Sequence, residues 1–112
     1  MAKKRFTVGD IQRMIANPVY AGLGPYPAIV PESQWLGAAN KAAGEVGVRP
    51  YLYTLREELE KALRFNQQSL PAWMTAVDWL DEAEREYGRQ PQTFFRDLLQ
   101  RLRADLGGEP LG

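Results

Sequence analysis

Eight prolines divide this chain of 112 residues, and their positions limit where helices can start and stop. Proline lacks the N–H that a helix interior needs, and it pushes the residue before it out of the helical region. Asn17-Pro18 therefore ends any helix that begins near the N-terminus. Pro25 and Pro27, with Gly22 and Gly24, exclude a helix from residues 18–30. Pro31, Pro50, Pro71 and Pro91 each precede a longer segment with helical apolar periodicity, where a proline in the first turn costs nothing.

Between these marks the spacing predicts a mainly α fold of about five helices around one core. A short proline- and glycine-rich extended hairpin separates helices one and two. The first helix spans Phe6 to Ala16, with Thr7 and Asp10 at capping-box spacing and Val8, Ile11 and Ile15 on one face. The hairpin pairs short extended pieces around Val19-Tyr20-Ala21 and Ala28-Ile29-Val30. It is expected to pack on Trp35 and to bury Tyr20.

Pro31 opens the second helix, with Glu32 in its first turn. Its narrow stripe is Trp35, Ala39, Ala42 or Ala43, and Val46, where the alanines let another helix approach. Gly44 and Gly47 fray its end. The third helix, from Pro50 to Phe65, presents Leu52, Leu55, Leu59, Ala62 and Leu63. The fourth is expected to start at Ser69-Leu70-Pro71 with Ser69 as N-cap, and to stop at Gly88. Its face is Trp73, Ala76, Val77, Leu80, Ala83 and Tyr87, with Trp79 at the edge. The fifth carries Phe94, Phe95, Leu98, Leu99, Leu102 and Leu106 and stops at Gly107-Gly108. Residues 1–112 thus read as one domain, with residues 50–107 its helical part and residues 1–5 and 108–112 frayed.

The residue inventory removes most chemistries. Without histidine the commonest general base and metal ligand are gone, and without cysteine there is no thiolate or disulfide. No catalytic residue, metal site or cofactor is expected, so the chain is read as a non-enzyme. The two serines, Ser33 and Ser69, sit at expected helix starts, where capping outweighs nucleophilic catalysis. Asp78/Asp81 and Glu82/Glu86 pair along a helix face and could hold a divalent cation, but they read better as a solvated surface. Gly22-Leu23-Gly24-Pro25 lacks the context of a phosphate loop and reads as a turn. No apolar run reaches membrane-spanning length, and no secretory signal is recognisable. With no cysteine, this fits a cytoplasmic setting.

Formal net charge is zero, but residues 1–50 carry six basic against three acidic side chains, and residues 51–112 eight against eleven. The basic half supplies candidate phosphate contacts at Lys3, Lys4, Arg5, Arg13, Lys41 and Arg49. Tyr20, Tyr26, Tyr51 and Tyr53 are less readily assigned to helix faces and form a candidate partner-binding loop.

Residues 6–43, FTVGDIQRMIANPVYAGLGPYPAIVPESQWLGAANKAA, resemble part of the recombinase domain of large serine recombinases. The likeness runs through Ile11 and Ile15, then Asn17, Pro18, Tyr20 and Gly22, then Ala28-Ile29-Val30 and Trp35. In that family the region belongs to a DNA-binding module between a catalytic domain and a zinc-binding domain. Here the family's longer insertion after the glycine is shortened to Leu23–Pro27, and no cysteine-rich zinc ribbon or basic helix follows residue 50. The resemblance implies the recombinase-like fold for residues 6–45 and, as one function, DNA binding.

Two functions follow as expectations. The leading one is a small non-catalytic protein-interaction module, a subunit or adaptor that binds a protein partner or a second copy of itself. The alternative is a DNA- or RNA-binding accessory protein derived from a serine-recombinase-type domain.

Overall fold

The computed structural model describes residues 17–110, so the helix expected over 6–16 lies outside the described residues. Within that range the chain is mainly helical, with five α-helices: α1 (Glu32–Val46), α2 (Val48–Phe65), α3 (Ala72–Thr75), α4 (Trp79–Arg89) and α5 (Phe94–Leu106). They pack around one apolar core with no buried charged residue among those described.

Residues 17–30 depart from the expected hairpin. Pro18–Ala21 form a 3-10 helix in place of the first extended piece. Asn17 favours this turn, since its side-chain carbonyl accepts from the Val19 N–H at 3.2 Å, and Pro18 supplies the fixed φ of a first helical residue. Gly22 ends it at φ 95°, and a single antiparallel bridge joins Leu23 to Tyr26. Residues 28–30 form no strand either, with a bend at Val30, and the Ile29 and Val30 N–H groups both donate to the Tyr20 carbonyl. Val19, Ala21 and Leu23 enter the Trp35 cluster, whereas Tyr20 is only half-buried.

Helices α1 and α2 are joined by Gly47 alone, whose φ of 95° turns the chain in one residue. Trp35, Ala39, Ala42 and Ala43 are buried on α1, and the alanines bring α2 close. Val46, expected in the same stripe, is exposed because the chain leaves the helix immediately after it. On α2, Leu52, Leu55, Leu59 and Leu63 are buried, with Ala62 half-buried.

The expected fourth helix is two helices. Ala76 has extended backbone (φ −60°, ψ 142°) and separates α3 from α4. Met74 and Trp79, five residues apart, would lie about 140° apart on a continuous helix. The break lets both reach the core, each at most 5% exposed. It also rotates the expected face: Trp79 moves from the edge to the interior, Leu80 is half-buried, and Ala76 and Val77 point to solvent. Ser69 caps nothing, since α3 begins at Ala72 without a side-chain cap. Gly88 has ordinary helical backbone, so α4 runs through it to Arg89.

Phe95 on α5 is the aromatic hub. Its ring makes edge contacts with Trp35 of α1 (6.2 Å between centroids), Tyr51 of α2 (5.5 Å) and Tyr87 of α4 (5.9 Å). Gly107 stops α5 at φ 86°. The chain does not fray there: Gly24 N–H donates to the Gly107 carbonyl at 2.9 Å, and Gly108 and Glu109 lie directly against Gly22 and Leu23. A Cβ on Gly22 would stand 2.1 Å from the Glu109 carbonyl oxygen, so the two backbones meet where only glycine fits.

Arg103 fastens this crossing. Its guanidinium donates to the Ala21 carbonyl at 2.6 Å and the Gly22 carbonyl at 3.1 Å, and pairs with Glu32 at the start of α1. Only 13% of its side chain is exposed.

These placements set measurable costs. Leu99→Ala should cost about 2–5 kcal/mol in denaturant unfolding, and Val77→Ala less than about 0.5 kcal/mol. Arg103→Leu should cost about 2–4 kcal/mol by removing charged hydrogen bonds from two carbonyls and a carboxylate. Arg103→Lys should recover less than half of that, because an ammonium cannot fork between three acceptors.

Candidate protein-binding groove

The four candidate tyrosines separate into three environments. Tyr20 and Tyr26 come together on the 17–30 loop, facing the C-terminal half of α2 across a groove of about 400 Å³. Tyr26 is anchored there: its hydroxyl donates to the Ala62 carbonyl at 2.7 Å and accepts from the Asn66 side-chain amide at 2.6 Å. Tyr51 is a correction to the expected set. It is buried against Phe95, one turn before Leu55 on the same face of α2, so it belongs to the core. Burial pushes its hydroxyl pKa well above the usual tyrosine value. Tyr53 is exposed on another surface, with Val77 and Leu80. A hydrogen bond to Glu57 raises its pKa, and the Arg56 guanidinium lies 5.6 Å from its ring centroid.

Two residues not expected in the groove give it most of its character. Ile29 is 62% exposed and Phe65 89% exposed, and both line it. The α2 pattern contains a signal for Phe65. It lies two residues past Leu63, about 200° around the helix from the buried stripe. A large aromatic there lies off the face of α2 that packs in the core. The groove's charges are Glu58 and Lys61, which face each other at 3.8 Å. A neutral rim around Tyr20, Ile29 and Phe65 suits an apolar side chain. Covering Phe65 alone would contribute about 1.5–3 kcal/mol.

Of the six candidate phosphate contacts, Lys41 and Arg49 fall among the described residues. Lys3, Lys4, Arg5 and Arg13 lie outside the described residues, and Lys41 is exposed on α1. Arg49 is engaged from α2 to α4, at 2.7 Å from Asp81 and 3.2 Å from Glu84. Those carboxylates hold its charged form and raise its pKa. Among the described residues no group of three or more carboxylates is placed to hold a metal ion, and no helix is long and apolar enough to cross a membrane. Gly22 and Gly24 both have positive φ, as expected for turn residues. No family model, curated protein or solved structure matches the chain.

The burial of Tyr51 predicts a loss of stability in alkali. Its pKa is raised on folding, so the unfolded chain releases the proton first, near pH ~10. Stability from this group is intact below that pH and falls above it by up to about 1.4 kcal/mol per pH unit. Denaturant unfolding between about pH 8 and 11 should show this slope, and Tyr51→Phe should flatten it by that amount.

Proposed function

We propose that this chain is a non-catalytic protein-interaction module, a subunit or adaptor whose groove between the 17–30 loop and α2 receives apolar side chains of a protein partner. The observation that carries this reading is the pair Ile29 and Phe65, mostly exposed beside a concave, charge-neutral surface that the fold holds in place. A folded chain gains nothing from leaving such residues in water together. The absence of histidine and cysteine supports the non-catalytic part of the proposal, and the absence of cysteine supports a cytoplasmic setting.

Nucleic-acid binding, as an accessory protein with a serine-recombinase-type domain, is the second reading. The resemblance over residues 6–43 and the basic first half support it. It ranks lower because zero net charge gives no long-range attraction to phosphates, and because Arg49 is already paired with two carboxylates.

Cross-linking and DNA-binding measurements test the two readings. A photo-reactive phenylalanine analogue at position 65 or 29 should cross-link one and the same protein in the source cells. An analogue at exposed Ala104, which does not line the groove, should not. Phe65→Asp with Ile29→Asp should lower co-purification of that protein at least about tenfold, through the lost apolar burial. Equal recovery with the double variant would reject the groove. Duplex and single-stranded DNA near physiological salt should show no micromolar binding. Micromolar binding abolished by Arg13→Glu with Lys41→Glu would place the nucleic-acid reading first.

A further inference from the structure

A second concavity, of about 310 Å³, lies among α3, α4 and α5 and shares no lining residue with the Tyr20–Phe65 groove. Its walls are aromatic. Trp73 and Trp79 stand 6.4 Å apart at 58°, and Phe94 lies beside them. Its rim is acidic: Glu82, Glu86 and Asp97 line it with one basic residue, Arg101. Glu86 is paired with Arg89 at 2.8 Å, whereas Glu82 and Asp97 have no ion-pair partner among the described residues.

The chain seats a cation of its own against each of these tryptophans: the Arg56 guanidinium, which does not line the pocket, lies 5.6 Å from the Trp79 ring centroid. The Arg101 guanidinium lies 4.0 Å from the Trp73 ring centroid, and the Trp73 indole N–H donates to Asp105. That hydrogen bond to a carboxylate makes the ring face more negative and the cation contact stronger. Trp79 differs from Trp73. Only 5% of it is exposed, and its indole N–H has no acceptor among the described residues. A ligand suited to these walls and rim carries a positive charge for the ring faces and carboxylates. It also carries a carbonyl for the free indole N–H.

We propose that this pocket binds a basic side chain of a peptide segment, arginine or lysine, with its cation between the aromatic walls and the Glu82–Asp97 rim. A peptide supplies both features at once: the side-chain cation and, a few bonds away, a backbone carbonyl. The inference extends the protein-interaction reading to a second contact but is tested apart from it.

The test follows the indole N–H signals of the three tryptophans by NMR while Ac-Gly-Arg-Gly-NH2 is added. Trp73 and Trp79 should shift saturably with millimolar affinity, and Trp35, fully buried in the core, should stay still. Ac-Gly-Gln-Gly-NH2, uncharged, should shift neither. n-Butylguanidinium should bind more weakly than the peptide, since it brings no carbonyl. Glu82→Gln and Asp97→Asn, both at exposed rim positions, should each weaken binding about two- to fivefold. Arg101→Gln should strengthen it by removing a competing cation, and Phe65→Asp should leave it unchanged. Equal shifts with the glutamine peptide, indifference to both carboxylate variants, or no saturable shift would overturn the proposal. So would butylguanidinium binding as tightly as the peptide.

Discussion

The Arg103 guanidinium holds together parts of the chain that no helix connects. It reaches from α5 to two carbonyls at the end of the 3-10 turn and to Glu32 at the start of α1. A carbonyl facing the interior without a donor is costly, and so is a carboxylate at a helix start with most of its surface covered. One planar side chain satisfies all three. The position of residues 17–30 depends on it, and the Tyr20–Phe65 groove depends on that position. Phe95 acts in the same way on the apolar side, where its ring meets one aromatic from each of α1, α2 and α4.

The separation of charge along the sequence is answered within the fold. Arg49, from the basic half, is held by Asp81 and Glu84 of the acidic half. Glu32, from the basic half, is held by Arg103 of the acidic half. Both pairs span long stretches of sequence, so a linear tally of charge describes neither end of the folded molecule. Among the described residues, Glu82 and Asp97 at the rim of the tryptophan pocket have no ion-pair partner, whereas Glu58 and Lys61 at the tyrosine groove pair with each other.

The helices are legible wherever a single period governs a long segment. The leucines of α2 and the Phe/Leu face of α5 repeat at three and four residues and are buried as their spacing implies. The segment after Pro71 is not legible in this way, because the period there is broken by a backbone choice at Ala76 that no residue type announces. An alanine is a strong helix former, and only the gain from burying both Met74 and Trp79 explains its extended conformation. The 3-10 turn at Pro18 reads as a strand for a related reason: Asn17 and Pro18 end one helix and equally well begin another turn. Of the candidate site, Tyr20 and Tyr26 follow from their place on a proline-rich loop. Tyr51 does not belong there, and its position four residues before Leu55 is the sign of it. Phe65 is legible only by comparison with the buried face of α2 that it avoids, and Ile29, on an irregular segment with no such face, leaves no signal in the sequence.

The crossing of Gly22 with Glu109 sets an order of events. The 3-10 turn is among the first described segments to leave the ribosome, and the residues that hold it, Arg103 and Gly107, are among the last. Helices α1 and α2 need no such wait, since one glycine joins them. The apolar groove is therefore completed only when nearly all of the described residues are available, by the closing of a loop that spans most of them. Until then Phe65 and Ile29 belong to an unfinished surface, and a partner that recognises the finished groove recognises a chain already folded through Glu109.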